Sequence, residues 1–166
     1  MMLAKLNPHM KHFTPENFHA CTLGSLLGRA HLVKDRILDG HLVPYGVTAK
    51  QFKVLIILAQ FGIDTPAEVA RYLGLDSGSI TRMLDRLEHK ALIERQRSES
   101  DRRQVRLVLT REGQCLADRL PHIGAEAMNE LVGVLDAGEL ADLERILTKL
   151  LLASGDTLPE LRTGQS

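Results

Sequence analysis

The sequence predicts a mainly α-helical fold of about six helices with one small β-hairpin, on three observations. Leucines recur at helical spacing along most of the chain. Aromatic residues make up only 4% and Trp is absent, a balance that favours packed helices over a β-sandwich. Between residues 92 and 109 alone, the apolar pattern changes from helical spacing to alternation. With 166 residues, 44% apolar and 25% charged, the chain can bury one compact core and carry an appended element.

The first helix is expected over about residues 15–42. Thr14, Pro15 and Glu16 supply a cap, a first-turn proline and a first-turn acid. Leu23, Leu26, Leu27, Ala30, Val33, Lys34, Ile37 and Leu38 form its mostly apolar stripe, and Gly40 and Pro44 stop it. A second helix opens at Thr48 and runs to near Gly62, with Phe52, Leu55, Ile56 and Ala59 on one face. Thr65-Pro66-Ala67-Glu68 reads as N-cap, first-turn proline and capping box, opening a short helix over 66–73 that Gly74 ends. Val69, Ala70 and Leu73 face inward on it.

Asp76 or Ser77 caps a fourth helix that reaches about Lys90. Its Ile80, Met83, Leu84 and Leu87 form the apolar back, and Ser79, Arg82, Asp85 and Arg86 lie opposite. Leu92, Ile93 and Arg95, then Val105, Leu107 and Leu109, read as two strands flanking a charged turn, a hairpin. Thr110 caps a fifth helix, expected to pass through a kink at Pro121 and end near Val134. Asp136 and Glu139 make a capping box for the last helix, and residues 154–166 read as a polar tail.

Formal net charge is zero, so a nucleic-acid role cannot rest on bulk basicity and needs local clustering. Such a cluster exists. Between Arg82 and Arg111, nine basic residues face five acidic ones, and the rest of the chain is acidic by the same excess of four. Cys21 and Cys115 make no disulfide framework, no apolar run approaches a membrane span, and the N-terminus lacks a signal-peptide core. A cytoplasmic protein with reduced thiols and no membrane partner is expected. The nucleophile-elbow, phosphate-loop, zinc-protease and dinucleotide fingerprints do not occur, so neither enzyme chemistry nor a cofactor is expected. His19, Cys21, Asp39 and His41 lie near the first helix, but the fifth offers only His122, so no metal site is expected.

Two helices joined by the short Gly74-Leu75-Asp76 link and followed by a basic hairpin are the parts of a winged helix-turn-helix lobe. The N-terminal residues of such a second helix reach base edges in the major groove. Ser77, Ser79, Thr81, Arg82 and Arg86 stand where that task falls. Hydroxyls can bond bases or phosphates, Arg can grip guanine with two hydrogen bonds, and an Arg at a hairpin tip can enter a narrow minor groove.

The run Val47-Thr48-Ala49-Lys50-Gln51-Phe52, the run from Leu75 to Glu88, Ile93-Glu94-Arg95, Asp101-Arg102-Arg103 and Leu107 to Gly113 together resemble the MarR family of transcriptional regulators. The resemblance is strong over about residues 47–113. It implies that Arg103, beside Arg102, is the minor-groove arginine of the wing, and that Asp101 braces the wing through an ion pair. It also implies a homodimer, and the broad face of Leu140, Leu143, Ile146, Leu147, Leu150 and Leu151 is the expected interface. The expected organisation is a tail and first dimerisation helix over 1–46, the DNA-binding domain over 47–111, dimerisation helices over 112–153 and the tail over 154–166.

A regulator of this type, expected to repress, would bind double-stranded DNA at a pseudo-palindrome and be released by a small, anionic aromatic effector. Ala91 departs from the family, which usually carries Gly between the recognition helix and the wing. Two alternatives stay open. One is an oxidant sensor using Cys21, about a turn from the position of a reactive cysteine in some members, with Leu38 and Ala49 where tyrosines would serve the thiolate. The other is a winged-helix protein-interaction module without specific DNA binding. The strand residues Arg95 and Arg106 are expected to pair with nearby acids such as Glu94 or Glu99.

Overall fold

The computed structural model describes residues 12–19, 22–97 and 105–155. Among these, the elements run α1 (Leu23–Leu42), α2 (Ala49–Gln60), α3 (Pro66–Leu73), α4 (Ser77–His89), β1 (Ile93–Arg97), β2 (Val105–Leu109), α5 (Arg111–Ala117), α6 (Leu120–Val132) and α7 (Ala137–Ala153). A short 3-10 turn at Val43–Tyr45 joins α1 to α2. The chain divides into two compact units, Asp35–Met128 and the pair Met1–Lys34 with Asn129–Ser166. The fold is the mainly helical winged-helix arrangement that the spacing predicts.

The core lies wholly in the first of these units, between Leu38 and Ala127. Val54, Leu55 and Ile57 of α2, Val69 of α3, Leu84 and Leu87 of α4, Ile93 of β1 and Leu120 of α6 are almost fully buried. Truncating any of the larger ones to Ala would cost about 2–5 kcal/mol, through lost transfer energy and the cavity left behind. The hairpin is antiparallel, with Ile93 opposite Leu109 and Arg97 opposite Val105. Its inward residues are Ile93 and Leu107, and the alternation turns Glu94 and Arg106 outward.

Local start signals hold where the chain is capped by its own neighbours. Thr48 and Gln51 form a full capping box for α2, and Asp136 with Glu139 does so for α7. Thr65 caps α3 by accepting the Glu68 N–H, but its hydroxyl donates to the Glu68 carboxylate at 2.7 Å, so only half of the expected box forms. On α2, Ala59 is exposed, and Val54 and Ile57 take the core positions instead.

Two elements differ from expectation. α1 begins at Leu23, not near Pro15. Asn17 Oδ1 takes the Thr14 N–H at 2.6 Å, and the Phe18 N–H bonds Thr14 O at 2.9 Å. The cap therefore closes one local turn, with the Phe13 and Phe18 rings edge to face at 6.3 Å. The expected kinked fifth helix is two helices, α5 and α6, parted at Asp118 and Arg119. Pro121 has no N–H to offer Ala117 O, and its ring crowds that carbonyl, so the ladder stops one turn earlier and restarts with proline in the first turn.

The second unit contrasts with the first. No residue of α7 is buried, and Leu143, Ile146 and Leu150 are 40–47% exposed. In α1, Leu23, Leu26, Leu27 and Leu32 are likewise exposed. Among the described residues no single helix is long and apolar enough to cross a membrane.

Candidate nucleic-acid interface

The turn between α3 and α4 is set by Gly74. At φ +64° it lets the Leu75 N–H reach Ala70 O at 2.9 Å and its own N–H reach Arg71 O at 3.3 Å. This closes α3 in a Schellman motif and turns the chain into the next cap within two residues. Asp76 then accepts the Ser79 hydroxyl at 2.6 Å and the Ser79 N–H at 2.9 Å. Those donations, the hydroxyl first and the amide second, hold the Asp76 carboxyl below its ordinary value of 3.8. The cap is therefore ionised throughout the neutral range.

On α4, Ile80, Leu84 and Leu87 anchor the back and Met83 is half-buried. The structure divides the expected contact residues between two flanks. Ser79, Arg82 and Arg86 share one, at spacings of three and four. They line an open cavity of about 220 Å³ together with Thr48, Lys50 and Gln51 of α2. Ser77 and Thr81 share the other flank, toward Glu88, and the Thr81 hydroxyl donates to Ser77 O at 2.7 Å. The hydroxyl protons of Ser79 and Thr81 are thus both donated locally, so each oxygen is available to further partners only as an acceptor. Arg82 and Arg86 are exposed and have no acidic partner among the described residues.

The acids of α4 are engaged elsewhere. Arg95 of β1 bonds Asp85 at 2.7 Å and also Glu88, and so ties the first wing strand to the recognition helix. Arg106 of β2 bonds Asp64 at 2.9 Å, while the Leu107 N–H bonds Asp64 O at 2.6 Å. Both strand arginines are therefore paired, as expected, but with partners other than Glu94; Glu99 lies outside the described residues. Neighbouring strand residues point to opposite faces, so Glu94 cannot meet Arg95; it accepts from Gln96, two residues away on its own side. Asp101, Arg102 and Arg103, like Cys21, lie outside the described residues.

Lys90 and Gln51 escaped the reading of the sequence. Lys90, the C-cap of α4, donates to Gly46 O and, at 3.0 Å, to Gln51 Oε1. Gln51 is the one buried polar side chain of the described core, and its Oε1 also accepts the Thr48 N–H at 3.2 Å. A single lysine thus fastens the end of the recognition helix to the start of α2. The Thr48-x-x-Gln51 spacing signals the box, but nothing local signals a partner 39 residues on. Among the described residues, no three His, Cys, Asp or Glu side chains converge as a metal site would require.

Comparison with known proteins bears on what this surface does. The sequence profile of the MarR family matches residues 47–105. The multiple antibiotic resistance protein MarR of Salmonella typhimurium is 40% identical over 130 residues, covering 78% of this chain and 90% of that protein. The structure superposes on that of reduced Escherichia coli MarR with a TM-score of 0.72 at 37% identity, over 81% of this chain and 99% of the other. A cysteine-to-serine variant of the same protein, solved in complex with operator DNA, gives a TM-score of 0.71 at 38% identity, over 78% and 93%. A MarR family protein of Mycobacterium tuberculosis in complex with p-aminosalicylic acid gives 0.65 at 29% identity, over 78% and 98%.

Proposed function

This chain belongs to the MarR family of transcriptional regulators and is no enzyme, and from that premise we propose that it binds a pseudo-palindromic operator as a homodimer and leaves it on binding a small anionic aromatic ligand. The observation that carries the DNA reading is the outward face of α4. Arg82 and Arg86 stand there without acidic partners among the described residues, on a helix whose back is locked into the core. A relative with the same fold was solved with operator DNA. In the proposed complex α4 enters the major groove, with Arg82 and Arg86 at bases or phosphates and Ser77, Ser79 and Thr81 offering acceptors to base amino groups. Arg103 enters the minor groove beside Arg102, and Asp101 braces that wing.

The proposed DNA-binding domain is 47–111, with the dimerisation helices on either side of it. The exposed leucines of α1 and α7 support a second copy as their cover: 40–47% exposure at Leu143, Ile146 and Leu150 is costly in water and removed by a two-fold interface. Leu140, Leu147 and Leu151 complete that face. Dimerisation would set two recognition helices about one DNA turn apart.

The p-aminosalicylic acid complex of the Mycobacterium tuberculosis relative supports the ligand class. Release requires that the ligand bind the DNA-free arrangement more tightly than the DNA-bound one. The test is binding of the chain to its own upstream region, challenged in parallel with p-aminosalicylate, peroxide and zinc. Saturation at two chains per site and release by the aromatic acid alone is the expected outcome. Release by peroxide that disappears in Cys21→Ser would replace the ligand reading with a thiol switch. Saturation at one chain per site would overturn the dimer.

A further inference from the structure

We propose that the cavity between the first turn of α2 and the flank of α4 binds a DNA backbone phosphate, and that Lys50 of α2 is the contact that carries it. The inference rests on the operator-binding reading above and adds a DNA-contacting residue outside the recognition helix and the wing. Three cations line this cavity, Lys50, Arg82 and Arg86, and no carboxylate lines it. The neighbouring acids are all occupied: Asp85 and Glu88 pair with Arg95 on the wing side, Asp76 accepts from Ser79, and Asp39 accepts the Ala49 N–H at 2.6 Å. None of the three cations has an ion-pair partner among the described residues, and all three are exposed.

Positive charge gathered in a concave surface, with no ion-pair partner among the described residues, focuses the field there and raises the local concentration of anions such as phosphate. A recognition helix seated in the major groove is flanked by phosphates on both walls. The α2 side of α4 is where a second element of this fold comes close enough to touch one of those walls. Lys90 makes the contact reproducible, because it pins α2 to α4 through Gln51, itself part of the cavity wall. Lysine suits the task as a point charge that needs no bidentate geometry.

The test is the salt dependence of binding for wild type, Lys50→Ala, Lys50→Arg and, as a control in α7, Lys149→Ala. Each phosphate contact contributes about 0.9 to the slope of log affinity against log salt. Because each protomer of the proposed dimer carries one Lys50, Lys50→Ala is expected to reduce the slope by about twice that amount and to weaken dimer binding about thirty-fold near 0.15 M salt, equally for upstream and random duplexes. Lys50→Arg is expected to keep the slope, and Lys149→Ala to leave it unchanged. If wild type binds and Lys50→Ala has its slope, the phosphate site is refuted while the operator reading survives. If Lys50→Ala binds DNA normally but no longer responds to p-aminosalicylate, the cavity belongs to the effector and the proposal falls. Equal losses in Lys50→Ala and Lys149→Ala would mean long-range charge, not contact, and would overturn it as well. A wild type that binds no DNA at low salt would overturn both readings.

Discussion

Ala91 sits at φ +54°, the one non-glycine residue with positive φ among those described. Its N–H bonds Glu88 O at 2.8 Å and the Leu92 N–H bonds Leu87 O at 3.0 Å, the same closure that Gly74 makes at the end of α3. The left-handed conformation costs an alanine roughly 1–2 kcal/mol that glycine does not pay. Ala91→Gly is therefore expected to raise stability by about 1 kcal/mol, read as a higher denaturation midpoint with an unchanged slope. The pinning beyond it explains why the strain is kept. Ala91 O accepts the Thr110 hydroxyl, and a Cβ on Gly113 would lie 1.8 Å from Leu92 O. The backbone of α5 at Gly113 therefore packs directly against the link that follows Ala91.

Asp76 supplies a pH dependence at the same scale. Its folded pKa lies below 3.8, so the stability it gives the N-terminus of α4 is complete above the unfolded value and is lost as pH falls through the folded one. Asp76→Ala should lower the melting temperature at pH 7, and the gap from wild type should close in strong acid. Asp76→Asn, which keeps the acceptor, should lose much less. If the gap persists undiminished at a pH where the carboxyl is protonated, ionised capping is not what Asp76 contributes.

Among elements, α4 depends on contacts at both of its ends, Asp76 at the start and Lys90 at the finish, with Arg95 holding the wing strand to its middle. Losing a hydrogen bond from a charged donor costs about 1.5–3 kcal/mol. Lys90→Met should lower stability by about that much and weaken specific DNA binding, while the salt slope stays the same because Lys90 touches protein and not phosphate. A slope reduced by about two, one contact from each protomer, would show that Lys90 contacts DNA directly.

How far the sequence reveals each element follows from where its determinants lie. The bounds of α3 and the caps of α2, α4 and α7 are legible because cap and capped residue stand three positions apart. The break between α5 and α6 is legible only in part, since Pro121 announces a disturbance but not whether the helix bends or stops. The Lys90–Gln51 and Arg106–Asp64 ties are invisible beforehand, because each joins residues about 40 apart that only the folded core brings together. The Arg95 pairs differ in kind. They fall within ten residues and follow from the strand period once β1 is placed against α4.

At the scale of the molecule, charge and apolar surface are segregated. The core fills the unit Asp35–Met128, the cations lie on one face of α4 with Lys50, and uncovered leucines remain on α1 and α7. A monomer with such leucines exposed would be prone to association, and the dimer reading makes that association specific. Leu143→Glu together with Ile146→Glu should give monomers in sedimentation and a loss of cooperative operator binding. Binding as a dimer by that variant would place the interface elsewhere.

Titration of upstream and scrambled duplexes with the full chain, across a range of salt, decides whether α4 reads DNA sequence. Sequence-specific recognition through α4 predicts that both affinities fall steeply and linearly with log salt, with the upstream duplex bound at least about a thousand-fold more tightly. Equal affinity for the two duplexes, or no binding to either at low salt, would contradict it.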